Sequence, residues 1–187
     1  MQRRLLYCIP IVHTEADLGS LAPGVRRQLG GAEAEWKRKQ AAIAEFWKGV
    51  RAWCDRLPSK LEGFRLYQDG LPVCGSEASI VAELAAGASP NHVLLQDLVR
   101  RGAALEGTES PGLLLEEYEL AKASLAGAPT DPARARRILT QRDEFIATRI
   151  ETTLKRGETG LLFVGMLHDV LSKIPQSIDI QKVVRPR

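Results

Sequence analysis

Residues 160–165, Gly-Leu-Leu-Phe-Val-Gly, carry no polar side chain and follow a long stretch of helical apolar periodicity. A run of strand length that is apolar on both alternating faces needs a covering layer on each side. A second continuous run of this kind, RLLYCIPIV, spans residues 4–12. Two such strands, separated by helix-patterned sequence, point to an α/β domain. Its central sheet should be mostly parallel and flanked by helices.

The other segments fit that frame. Residues 64–73, FRLYQDGLPV, alternate well enough for a strand near 64–68 that stops at an Asp69-Gly70 turn. Ile178, Ile180 and Val183 indicate one more strand near 178–184. The expected sheet therefore has about four strands. Helices are expected over 32–57, from Ser76 to the Gly87–Pro90 break, from about Val93 to Arg101, over Leu113–Leu125, and over 132–156. In the first, Trp36, Ile43, Val50 and Leu57 recur every seven positions beside Phe46, Trp47, Trp53 and Cys54, and Pro58 ends it. The last begins with Thr130 or Asp131 as cap and Pro132 in the first turn, and Gly157 is its expected C-cap. Residues 18–31 and 102–112 read as connections. At 187 residues the chain is expected to be a single domain, 1–187, with a helical segment around 76–127.

Charge and cysteine usage narrow the function classes. The net charge of +3 is spread along the chain, and the one tight cluster, Arg134, Arg136 and Arg137, fits a single exposed helical turn. Without a concentrated basic face, nucleic acid is not the expected partner. Cys8, Cys54 and Cys74 form no CxxC or Cys/His pattern, which fits a reduced, cytoplasmic setting better than a structural zinc site. The N-terminal apolar run is short and interrupted by Pro10, so neither a signal peptide nor a membrane span is expected. No GxSxG elbow, phosphate-cradling GxxxxGK[ST] or GxGxxG loop occurs.

In an open parallel sheet, ligands bind beyond the carboxyl ends of the strands. His13 follows the first apolar run, with Glu15 and Asp17 just after it, and His168 follows the run at 160–165. Tyr67 and Asp69 lie at the end of the strand near 64–68, and Glu77 opens the next helix. On the helix 132–156, Ile138, Leu139, Phe145, Ile146, Ile150 and Leu154 form one face. Arg142 falls inside that face and Asp143 at its edge. A guanidinium placed there needs an internal salt bridge, an anionic ligand, or a path for its head to solvent. The expected constellation has His13, Arg142 and His168 as catalytic groups, with Tyr67 and Asp143 contacting substrate. A divalent metal could be held by His13, Asp17 and His168. One of Glu116, Glu117 and Glu119 could face the site, whereas His92 reads as a surface or cap residue.

The order Arg142-Asp143, Phe145, Ile146 and Ile150, then an apolar strand and Gly165-x-x-His168, resembles the C-terminal signature of the TraB/PrgY-like group. That group belongs with the erythromycin-esterase-like and ChaN-like proteins. The resemblance spans about 30 residues, with His13 after the early strand as a looser echo. In place of the group's early glutamate-rich motif this chain has IVHTEADLG. The resemblance implies an α/β fold and a site role for Arg142 and His168, with Asp143 in support; members include hydrolases, metal-dependent proteases and haem binders. The first expectation is thus a hydrolase-like protein, with or without a metal, acting on a small-molecule or peptide ligand. The second is a non-catalytic binding protein of the same fold. The third is an interaction protein that pairs through the Trp-bearing helix, as in a homodimer.

Overall fold

The computed structural model describes residues 3–12, 14, 17, 23–24, 33–129 and 131–183. His13, Glu15 and Thr130 lie outside these residues. In chain order the elements are β1 (Arg4–Ile11), α1 (Glu33–Cys54), β2 (Phe64–Gln68), α2 (Glu77–Ala86), α3 (Pro90–Arg100) and β3 (Ala104–Glu106). They continue with α4 (Pro111–Leu125), α5 (Pro132–Thr153), β4 (Thr159–Gly165), a 3₁₀ turn (Val170–Lys173) and β5 (Ile178–Lys182).

The strands form one five-stranded sheet in the order β3-β2-β4-β1-β5, and every pairing is parallel. The two apolar runs occupy the interior positions β4 and β1, as strands covered on both faces must. Leu161, Leu162 and Phe163 have no exposed surface; burying each contributes roughly 1.5–3 kcal/mol. On one face Ile9, Leu66, Leu161 and Phe163 pack against Trp47 and Val50 of α1, Val81 of α2 and Leu95 of α3. On the other, Leu6, Tyr67, Leu162 and Val164 meet Ile146 and Ile150 of α5 and Val170 of the 3₁₀ turn. Helix α4 lies against α5.

Two expectations need correction. Residues 102–112 hold the fifth strand, β3, whose three residues are too few to show a period. Helix α5 stops at Thr153, with buried Leu154 as its C-cap. Gly157, at φ +81°, belongs to the turn beyond it. At the start of that helix Asp131 is a cap, its side chain accepting from the Arg134 N–H at 2.9 Å.

Because every strand is parallel, all carboxyl ends lie along one edge. Ile11 stands level with Gly165, and Gln68 with Phe163, so Asp69 and the Gly165–His168 turn emerge side by side.

Candidate functional site

Asp69 is the first residue past β2. Its N–H donates to the Phe163 carbonyl at 2.9 Å, extending the β2–β4 ladder by one step. Gly70 then turns the chain at φ +80°, a conformation that favours glycine. The ladder extension fixes where the Asp69 carboxylate points. Oδ2 accepts the Gly165 N–H at 3.0 Å, and Oδ1 accepts Nη2 of Arg142 at 2.7 Å. A side chain on Gly165 would crowd this arrangement, since a Cβ there would sit 3.0 Å from Asp69 Oδ2.

Arg142 is buried on the core-facing side of α5 and is surrounded by carboxylates. Glu109 takes two bonds, from Nε at 3.1 Å and Nη2 at 2.6 Å, and Glu117 of α4 takes Nη1 at 2.6 Å. This answers the requirement of a cation within an apolar stripe through internal ion pairs. Burial opposes the guanidinium charge, but Glu109, Asp69 and Glu117 outweigh it and hold the proton more tightly than usual. Burial pushes the Glu109 carboxyl up, only partly offset by Arg142.

One residue along α5, Asp143 completes the site. Its Oδ1 lies 2.5 Å from Nδ1 of His168, while Oδ2 accepts the Asp169 N–H at 2.9 Å. The other imidazole nitrogen, Nε2, is 3.3 Å from Asp69 Oδ2. The ring is thus held between two carboxylates, one from a helix and one from a strand end. Burial opposes its charge, but the hydrogen bond and field of Asp69, with the bond to Asp143, raise its pKa to about 9. Burial likewise disfavours charge on Asp69, yet His168, Arg142 and the Gly165 N–H keep that carboxyl well below the ordinary range.

Asp69, Glu117, Arg142 and His168 line a cleft of about 460 Å³ along the strand ends, with Asp143 and Glu109 buried behind them. Ile11, Leu114 and Leu139 supply apolar wall, and Met166 and Leu167 stand at the turn that also carries His168. Both of these side chains are largely exposed, at 69% and 85%. Asp69, Glu109 and His168 offer ligand atoms within 4.8 Å of one another, so this group could hold a metal ion.

The structure thus joins Arg142, Asp143 and His168 through Asp69, which the sequence had offered only as a candidate for the crevice. Glu109 was missed altogether. The demand of Arg142 for anions was legible, but nothing in the sequence identifies partners 33, 73 and 25 residues away. Glu117, one of the α4 glutamates that could face the site, is the one bonded to Arg142.

Other expected members lie elsewhere. Tyr67 is fully buried, with its hydroxyl 2.8 Å from Thr153 Oγ1 at the last residue of α5. The ring fills the core between sheet and helix, away from the strand-end cleft. Asp17 accepts from Thr14 N–H and Oγ1 at 2.6 and 2.7 Å and from the Ser89 hydroxyl at 2.5 Å, so its carboxylate is taken up at the start of α3, and the group that could hold a metal with His168 is Asp69 and Glu109. His92, expected at the surface, is buried. Its Nδ1 lies 2.7 Å from Ser89 Oγ and 3.4 Å from Asp17; the cap is Ser89, which accepts the His92 N–H. Glu77 accepts backbone N–H groups of Cys74 and Gly75. Trp47 is buried in the α1 contact, donating to the Val12 carbonyl at 3.1 Å, which removes it as an exposed dimer contact. No helix among the described residues is long and apolar enough to cross a membrane. Compared with family models, curated proteins and solved structures, the chain matches none.

Proposed function

We propose that the strand-end cleft is a hydrolase-type acid–base site in which His168 exchanges a proton with a bound small-molecule or peptide substrate. The observation that carries this reading is the Asp143–His168–Asp69 chain, of which His168 and Asp69 line an open cleft and Asp143 is buried behind the ring. Asp143 fixes the ring through Nδ1, and Nε2, 3.3 Å from Asp69 Oδ2, serves substrate by exchanging that longer contact for the leaving group. With its pKa raised to about 9, the ring is protonated at neutral pH and enters as a general acid, donating to a leaving group. Arg142 acts as a positioning residue, because its guanidinium is bonded to Asp69, Glu109 and Glu117 and orients the aspartate that contacts His168. The order Arg–helix–strand–Gly165-x-x-His168, which resembles the TraB/PrgY-like signature, accords with this assignment.

The donor set of Asp69, Glu109 and His168 favours a second reading, a metal-assisted hydrolase. Two carboxylates and an imidazole suit a first-row divalent ion, which would activate water or polarise a carbonyl. Arg142 Nη2 already bridges Asp69 Oδ1 and Glu109 Oε1, so a dication competes with the guanidinium for these oxygens. The metal-free reading therefore stands first.

A panel of chromogenic esters, peptides and phosphoesters, assayed with chelator and with added zinc or manganese, tests both readings. Turnover that survives chelator and is lost in His168→Gln supports the first; turnover that needs the ion, with one bound ion lost in the same variant, supports the second. If no panel member turns over under either condition, the hydrolase reading is replaced by that of a non-catalytic binding protein.

A further inference from the structure

A second cavity of about 320 Å³ lies on the α5 face of the sheet, beside the cleft. The two share the Gly165–His168 turn, but their walls differ in chemistry. Where the cleft has Asp69 and Glu117, the second cavity has Pro10, Val164, Val170 and Leu171, and no carboxylate lines it. The parallel register sets Lys182 of β5 next to Cys8 of β1, and both line the cavity. Burial raises the Cys8 thiol pKa against the opposing pull of Lys182, so the thiol is neutral. His168, the other titratable group on this wall, is already bonded to Asp143 and paired with Asp69. Lys182 has no carboxylate partner among the described residues. Among the described residues it is the one charge on this mostly apolar wall that no carboxylate answers.

We propose that this cavity binds an aliphatic monocarboxylate, with the chain against Pro10, Val164, Val170 and Leu171 and the carboxylate on the Lys182 ammonium. At about 30 Å³ per non-hydrogen atom the volume holds roughly ten such atoms, close to the size of octanoate. The apolar wall supplies affinity through burial of the chain, and Lys182 discriminates an anion from a neutral alcohol of equal length. A chain seated here ends beside the His168 turn. Such a carboxylate is what an acyl-ester hydrolase would release, a link that rests on the proposed function; the binding itself does not.

Calorimetry on the full chain with octanoate and octanol tests the site. Wild type should bind octanoate at least about fivefold more tightly than octanol, as expected for one partly exposed ion pair. Lys182→Glu should remove that preference while leaving thermal unfolding unchanged, because the side chain is exposed. Leu171→Trp, which fills the cavity, should weaken both ligands. Absence of octanoate binding in wild type, or an undiminished preference in Lys182→Glu, would overturn the proposal. If octanoate binds as expected but no ester is hydrolysed, the binding site stands and the hydrolase reading falls.

Discussion

Asp143 and His168, 25 residues apart, meet at 2.5 Å between Oδ1 and Nδ1. The contact joins the middle of α5 to the turn leaving β4, and the second carboxylate, Asp69, lies 3.3 Å from the opposite ring nitrogen. A histidine flanked in this way is a cation at neutral pH, and that charge state sets what the cleft can do.

The first prediction concerns pH. The folded pKa of His168, about 9, lies above that of an unfolded histidine at about 6.5. Its stabilising contribution is thus complete below about pH 6.5 and is lost as pH rises through about 9. An NMR titration of the ring should show a midpoint near 9, and wild type should lose the stability margin over His168→Gln between these limits. A midpoint at or below 7 would contradict the arrangement.

Removing the central cation should be costly. Arg142→Met leaves Asp69 and fully buried Glu109 without their counter-charge. The expected loss is about 3–5 kcal/mol in urea unfolding. Adding Glu109→Gln should recover part of it, since one uncompensated charge is then gone. A loss below about 1 kcal/mol would mean that the network carries little of the fold.

Gly165 tests whether backbone spacing sets the histidine. A Cβ at this position would lie 3.0 Å from Asp69 Oδ2 and 3.7 Å from His168 Cδ2. Gly165→Ala should push the aspartate off the ring, lower the His168 midpoint, and cost about 1–3 kcal/mol through overpacking. An unchanged midpoint would show that the aspartate can yield without losing the imidazole.

Tyr67→Phe separates core from site. Loss of the bond to Thr153 should reduce stability by about 1 kcal/mol. Any turnover at the cleft should be unaffected, because the ring is buried toward the end of α5. A fall in turnover at unchanged stability would return Tyr67 to the substrate contacts.

Asp17 anchors Thr14 to the start of α3. Asp17→Ala leaves the Thr14 N–H and the Ser89 hydroxyl without their acceptor, with an expected cost of about 1–3 kcal/mol. Metal uptake, measured by elemental analysis, should not change, because the Asp17 carboxylate is bonded to Thr14 and Ser89 and the candidate metal group is Asp69, Glu109 and His168. Loss of a bound ion in this variant would place Asp17 in the metal set.

Residues 4–12 and 160–165 declared their places without a structure, because a strand apolar on both faces is stable only inside a covered sheet. Parallel strands put their carboxyl ends on one edge, so the location of the cleft followed from the same pattern. Arg142 announced a need for anions by its position in an apolar stripe, and His168 announced itself by following a buried strand. The partners were decided only by tertiary structure. Glu109 sits beyond a three-residue strand with no readable period, and Asp69 reaches Arg142 and His168 because the ladder continues one residue past β2. Local sequence determines which face a side chain takes and whether its charge must be answered. Which distant carboxylate answers it depends on strand order and register, and these are properties of the assembled sheet.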